Sequence, residues 1–338
     1  MARRREREEA STRHANGSSS VIIMCYHRII AVKVSLALLK STPPEKNHPF
    51  AKMQSSAQDS DPSAVETPRN EGGVQFSGYD LHADRDLKLQ VLANAYHIRP
   101  AYASRLTAVR NFDVVILCDD SGSMKSFVNR PFAAQNPNGR RNTRWDELRN
   151  YVSVVIEMAT AVGANCDVHF LNRPPMRRVT SAAQLIPAFA ADPVGFTPAS
   201  AALEFIWAEK AVCLRERALL LIFATDGNPT DRIGNPDAQR FLWLVRSKPP
   251  TCFMTILAFN DDKRAVAFLD DLVDKKKLAV PGVNVIEEYM AEKESIEALR
   301  GEGFVFTFGD YVSKTFLGPI DPELDALDRP NASCCAVC

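Results

Sequence analysis

The chain has no net charge: over 338 residues, 41 Lys and Arg are matched by 41 Asp and Glu. A general nucleic-acid binder needs a basic surface to displace counterions, so that class is excluded and only a local basic patch is left open. There is also no clean membrane span. The best apolar stretch, Val21 to Leu39, is interrupted by His27, Arg28 and Lys33. A central Arg or Lys costs about 2.5–3.5 kcal/mol on insertion scales. The stretch before it, Arg3 to Glu9, mixes both signs, unlike the leading region of a signal peptide. A disulfide framework is lacking too. Cys25, Cys118, Cys166, Cys213 and Cys252 are widely spaced, and the last four sit in or beside apolar runs. Those four read as small core residues in a reducing, cytoplasmic compartment.

What is present is an ordinary globular mixture, 46% hydrophobic and 24% charged, long enough for one large domain with appendages or two small ones. Residues 1–78 read as a disordered N-terminal tail, with Gly17-Ser18-Ser19-Ser20, Pro43-Pro44 and a polar run from Gln54 to Gly73. Such a composition cannot bury enough apolar surface to offset its ordering entropy. Met53 opens its most polar part and is an alternative start. Residues 79–110 predict a helical hairpin, one helix with Leu87, Leu89, Leu92 and Tyr96 on a face, the next beginning at Pro100 with Tyr102, Leu106 and Val109 on a side.

Residues 111–320 alternate strand and helix patterns, which predicts an α/β fold in three Rossmann-like layers: a mostly parallel central sheet with helices on both faces. The strands are expected at Val114–Cys118, Cys166–Leu171, Ala218–Ala224 and Cys252–Ala258, with weaker ones at Val283–Ile286 and Phe304–Phe308. The helices are expected at Trp145–Thr160, Ala182–Phe189, Pro198–Ala211, Asp237–Val245, Asp262–Val273, Glu292–Leu299 and Asp310–Leu317. Residues 321–338 read as a C-terminal tail.

The first strand runs into Asp119-Asp120-Ser121-Gly122-Ser123. Ligands of an open α/β sheet bind at the carboxyl ends of strands, and a loop there rich in carboxylate and hydroxyl oxygen suits a hard cation. Asp119, Ser121 and Ser123 alternate, so each can turn one oxygen to a common point. Two later donors belong on the same rim: Thr197, just before a predicted helix, and Asp226, just after an apolar strand. Each segment taken alone also has a plainer reading. Asp and Ser favour turns and helix caps, Thr197 suits an N-cap, and Asp226-Gly227 is a common turn.

Taken in order, Asp-x-Ser-x-Ser, then a Thr before a helix, then an Asp after a strand, resembles the von Willebrand factor type A domain with its metal-ion-dependent adhesion site, over roughly residues 112 to 320. Arg144-Trp145-Asp146, Phe170-Leu171-Asn172-Arg173-Pro174-Pro175, Thr225-Asp226-Gly227 and Phe308-Gly309-Asp310-Tyr311 are similar to an intracellular branch of that family found in fungi and other eukaryotes. The resemblance implies that Ser121 and Ser123 bind the metal through their hydroxyls. It implies that Asp119 binds directly or through water, that Thr197 joins when a ligand is engaged, and that Asp226 holds a coordinating water. Asp120 falls at a variable position and is not counted as a ligand. The implied cofactor is Mg²⁺, with Mn²⁺ or Ca²⁺ as alternatives. The implied function is capture of a protein partner's Glu or Asp, without catalysis.

Other features carry weaker expectations. Trp145 and His169 are expected in the core, and Arg173, Pro174 and Pro175 at the rim. Lys275-Lys276-Lys277 reads as a solvated helix end. Cys335-Ala336-Val337-Cys338 fits a prenylation pattern, which makes Cys335 a candidate lipidation site and a membrane-recruited adaptor an alternative function. A haloacid-dehalogenase-like phosphohydrolase also places an Asp after its first strand. It needs a second Asp two residues on, where Ser121 stands.

Overall fold

The computed structural model describes residues 81–128, 141–260, 269 and 280–329. The apolar runs become five strands: β1 (Phe112–Cys118), β2 (Asn165–Phe170), β3 (Ala218–Thr225), β4 (Cys252–Ala258) and β5 (Val283–Glu287). They form one sheet in the order β2-β1-β3-β4-β5, with every pairing parallel. Around it run α1 (Leu81–Tyr96), α2 (Pro100–Leu106), α3 (Arg144–Val162), α4 (Ile186–Ala190), α5 (Ala199–Lys210), α6 (Ala238–Arg246), α7 (Tyr289–Arg300), α8 (Phe308–Leu317) and α9 (Pro322–Asp325).

The central strands β1, β3 and β4 are largely apolar because both faces are covered, whereas the edge strand β2 carries Asp167 and His169 on one face. Val114, Ile116 and Cys118 of β1 join Leu220 and Ile222 of β3 in a core shared with α1, α2, α3, α7 and α8. Val115 and Leu117 turn the other way, with Leu219, Leu221 and Phe223, against α5 and α6. This is the three-layer α/β arrangement expected. The helical pair α1 and α2 belongs to the first of these cores through Leu89, Ala93, Tyr96, Tyr102 and Leu106.

The connections fix where a site can form. From β1 the chain passes through α3 to β2 on one side. From β2 it crosses through α5 to β3 on the other side of β1. The crevice between β1 and β3 is therefore the point where the winding reverses, the usual ligand position in such sheets. Helix α3 starts beside it with a capping box. The Thr143 hydroxyl accepts from Asp146 N at 3.2 Å, and the Asp146 carboxylate accepts from Thr143 N at 3.0 Å. This firm start sets the direction of Arg144, the first residue of the helix.

Several expectations are corrected. Phe304–Phe308 is not a strand: residues 304–307 have no regular structure and Phe308 opens α8. Thr307 and Asp310 form a second capping box there, and that local signal wins over apolar alternation. Ala182–Phe189 is split into a 3₁₀ turn, Ala182–Leu185, and the short α4, where Pro187 sits at the start and offers no N–H. Leu87 lies on the outer side of α1, 60% exposed. Cys213 is exposed, whereas Cys118, Cys166 and Cys252 are buried, and all four are free thiols. Residues 1–78, Cys25, the helix at Asp262–Val273 apart from Leu269, Lys275–Lys277 and the terminal cysteines, Cys335 included, lie outside the described residues. Among the described residues no helix is long and apolar enough to cross a membrane.

Helix α8 is also the seat of a buried cation. Lys314 is fully enclosed and donates to Glu292 at 2.5 Å and Asp328 at 2.7 Å. One turn earlier, Gly309 lets α8 meet the link between α1 and α2 in backbone contact. A Cβ there would collide with the Tyr96 carbonyl oxygen and stand 2.7 Å from Ile98 N. Gly309→Ala is therefore expected to push the hairpin off the domain and cost about 1–3 kcal/mol, as overpacking does. Chemical denaturation checks it; an unchanged midpoint would show that the hairpin is not seated on α8.

Candidate metal centre

Parallel pairing of β1 with β3 sets Cys118 opposite Ala224, so Asp119 and Asp226 leave the sheet side by side at its carboxyl edge. Asp119 N continues the ladder to Ala224 O at 2.9 Å. Its carboxylate is fully buried and accepts from Ser121 N at 2.9 Å and from the Thr225 hydroxyl at 2.7 Å. The chain then turns through a 3₁₀ segment, Gly122–Lys125, which brings the two serines together. Ser121 Oγ lies 3.0 Å from Ser123 Oγ, and Ser123 Oγ donates to Asp226 Oδ1 at 2.7 Å. Ser123 is exposed and Ser121 buried, so the cluster opens to solvent on the Ser123 side.

Thr197 reaches the same place through its backbone. Gly195 O accepts from Gly122 N at 3.1 Å, which lays the Gly195–Thr197 loop against the serine loop. Thr197 N donates to the Thr230 hydroxyl at 3.0 Å, and Thr230 N donates to Thr197 O at 2.9 Å. The loop before α5 and the loop after β3 are thus laced together. The expected N-cap role of Thr197 is corrected: Pro198 holds the cap position of α5, and the helix has no side-chain cap. The carbonyl of Thr197 accepts from Ala199 N instead.

Asp120 points away from the cluster. Its Oδ1 accepts from Asn172 N at 2.8 Å and Asn172 Nδ2 at 3.1 Å, and its Oδ2 lies 3.1 Å from Arg173 Nε. Burial raises its carboxyl above the ordinary range, against these bonds. Arg173 in turn donates to Ala188 O and Asp192 O at 2.5 Å and lies over the Trp145 ring, 5.0 Å away. Trp145 is buried against Phe170 and Phe189, the core role expected of it.

The electrostatics of the cluster are unbalanced. Arg144 Nη1 donates to Asp226 Oδ2 at 2.8 Å, and its Nη2 to Asn260 Oδ1 at 2.8 Å, while Asn260 Nδ2 donates to Asp226 O. Among the described residues, Asp226 therefore has a cation and Asp119 has none. Burial, reinforced by the charge of Asp226, raises the Asp119 carboxyl to about 6 in spite of its bonds from Ser121 and Thr225. Two carboxylates against one guanidinium, lined by neutral hydroxyls, make an oxygen-only set that suits a hard divalent cation with few protein carboxylates.

Arg144, Thr225 and Asn260 were not read from the sequence as parts of this site. Thr225 and Asn260 follow the rule that exposed Asp119, since both stand at or just beyond the carboxyl end of a parallel strand. For Arg144 the signals were its place at the start of a helix near the site and the resemblance of Arg144-Trp145-Asp146, neither of which assigned it a partner.

A second group has metal-ligand composition. Asp167, His169 and Glu209 bring one ligand atom each within 4.8 Å of one another. Here, however, cations already fill the space. Lys210 donates to Asp167 at 2.6 Å, and Arg177 donates to Glu209 at 2.5 Å and contacts His169 Nε2. Two carboxylates and two cations cancel, so the group braces β2 against α5. Burial, with Arg177 adding to it, lowers His169 to about 4, and Asp167 opposes only in part. The sign follows from linkage: the unfolded chain takes up this proton near the ordinary 6.5, the folded chain only near 4. The fold loses stability as pH falls from about 6.5 to 4, by roughly 3 kcal/mol at the end of that window. His169→Gln is expected to flatten that part of the stability–pH curve; a curve as steep as that of the parent chain would refute the assignment.

A scan of the chain against protein-family models finds no match, and a search of curated proteins finds none similar to it, so the reading of this site stands on its own geometry and chemistry.

Proposed function

We propose that the chain is a von Willebrand factor type A module whose rim site takes Mg²⁺ and binds a protein partner through an acidic side chain. One observation carries the reading: Asp119, Ser121, Ser123 and Asp226, from two strand ends 103 residues apart at Ser123 and Asp226, form a single hydrogen-bonded cluster at the β1–β3 crevice, with the Thr197 loop closed onto it.

The residues fit the ion. Ser121 and Ser123 would hold it through their hydroxyls, Asp119 directly or through water, Asp226 through a water, and Thr197 on engagement. Their net charge with Arg144 is minus one against plus two, so a bound ion would keep a positive surplus and offer it to a carboxylate. The remaining work belongs to the chain itself. Thr225 and Ser121 N orient Asp119, Asn260 and Arg144 orient Asp226, and Thr230 holds the Thr197 loop at the rim. Mn²⁺ and Ca²⁺ remain alternatives, and no step of the reading requires turnover.

Two measurements test this. Calorimetric titration with Mg²⁺ and Mn²⁺ is expected to give one site in the parent chain and none in Asp119→Ala or Ser121→Ala, both still folded. Saturating metal at about 100 times Kd is expected to stabilise only the parent, by roughly 2.7 kcal/mol. Equal uptake by parent and variants would sink the proposal. Separately, Arg144→Gln removes the cation that faces Asp226 among the described residues, and is expected to tighten metal binding about tenfold, since a guanidinium at such range repels a divalent cation by more than about 1 kcal/mol. A weakened site would mean that Arg144 serves chiefly to place Asp226.

A further inference from the structure

We infer that the partner segment carries a large apolar side chain beside its acidic one, and that Phe196 and Ile233 form the shelf on which it sits. The inference rests on the metal-dependent reading above and adds the chemistry of the residue next to the carboxylate.

Apolar side chains that adjoin one another in water and are rimmed by polar groups mark surfaces covered on binding, whereas scattered ones do not. Phe196 is 51% exposed and Ile233 76% exposed. Phe196 immediately precedes Thr197, in the loop that touches Gly122. Ile233 stands in the loop that follows Asp226. The two loops meet at Gly234, whose φ of +92° is open to glycine and strained for other residues; a Cβ there would lie 2.6 Å from the Phe196 ring. The aromatic ring therefore rests on bare backbone with its other side free.

The shelf is also held in shape before any partner arrives. The Asp231 carboxylate accepts from Ile233 N at 2.9 Å, Asn235 N at 2.9 Å and Asn235 Nδ2 at 2.8 Å, which closes the loop around Ile233. Phe196 O accepts from Asn172 Nδ2 at 2.9 Å. Apolar surface on rigid loops loses little conformational freedom when covered, so more of its burial appears as affinity.

Charge selects the occupant. Beside the residual positive charge of a loaded site, the exposed Arg232 adjoins Ile233; the exposed Lys125 at the end of the serine turn is already paired with Asp192, 3.7 Å away. A protein segment with a carboxylate next to Leu, Ile or Phe matches this surface. A basic or wholly polar segment does not.

The test uses the full chain and two fluorescent nonapeptides with one central Glu, flanked in one by Leu and Phe and in the other by Ser, titrated by anisotropy in Mg²⁺ and in chelator. The parent chain is expected to bind the apolar-flanked peptide about tenfold more tightly. Phe196→Ser with Ile233→Ser is expected to abolish that preference while leaving Mn²⁺ uptake and the Ser-flanked peptide unchanged. Ile233→Ala, which disturbs no packing, is expected to lose part of it. Equal affinities in the parent, no binding of either peptide by a chain that takes up Mn²⁺, or a preference that survives the double substitution overturns the shelf and leaves the metal reading standing. Failure of the parent to take up Mn²⁺ overturns the metal reading, and the shelf with it.

Discussion

Asp119 and Asp226 leave neighbouring parallel strands one residue out of register and are both buried, and among the described residues only the Arg144 guanidinium, on Asp226, faces the pair. Burial makes that imbalance costly, because a carboxylate removed from water favours its protonated form unless a cation or donors compensate. Donors are supplied: Ser121 N and the Thr225 hydroxyl for Asp119, Ser123 and Arg144 for Asp226. Much of the rim is organised around this demand. The serine loop doubles back to bring hydroxyls to the carboxylates, and α3 begins where Arg144 can reach Asp226.

The contrast with the Asp167, His169 and Glu209 group makes the point. There the acids have Lys210 and Arg177 in matching number, and His169 stays neutral. A cluster whose charges cancel is a brace between elements. A cluster with a surplus negative charge, hydroxyl oxygens and an opening to solvent is suited to an external cation. Residue composition alone ranks the two groups in the opposite order, since His with two carboxylates looks more like a metal site than two serines do.

A further tier holds the rim loops in register. Asp120 draws back the chain after β2 through Asn172 and Arg173, Arg173 ties α4 and the following loop by two carbonyls, and Trp145 supports it from below. Thr230 joins the Thr197 loop to the loop after Asp226. Moving Thr197 apart from the Thr230 loop would break both of these hydrogen bonds, so the two loops are coupled.

Much of the fold was legible because a sheet buried on both faces requires continuous apolar strands, and Val114–Cys118, Ala218–Ala224 and Cys252–Ala258 can hardly be read otherwise. The failures had local causes. At Phe304–Phe308 a capping box overrode alternation, and at Ala182–Phe189 Pro187 broke one helix into two turns. The candidate residues were legible one by one, since Asp119 and Asp226 end strands and Thr197 precedes a helix. Their partners were not. Arg144 lies 82 positions from Asp226, Asn260 lies 116 positions from Arg144, and Asp120 with Asn172 are 52 apart. The sequence by itself determined which oxygens stand at the carboxyl edge of the sheet, because strand order along the chain and side-chain type decide that locally. Only the tertiary structure decided which of them share one space, which cation sits among them and what net charge remains, because those depend on crossovers that bring distant loops within hydrogen-bond range.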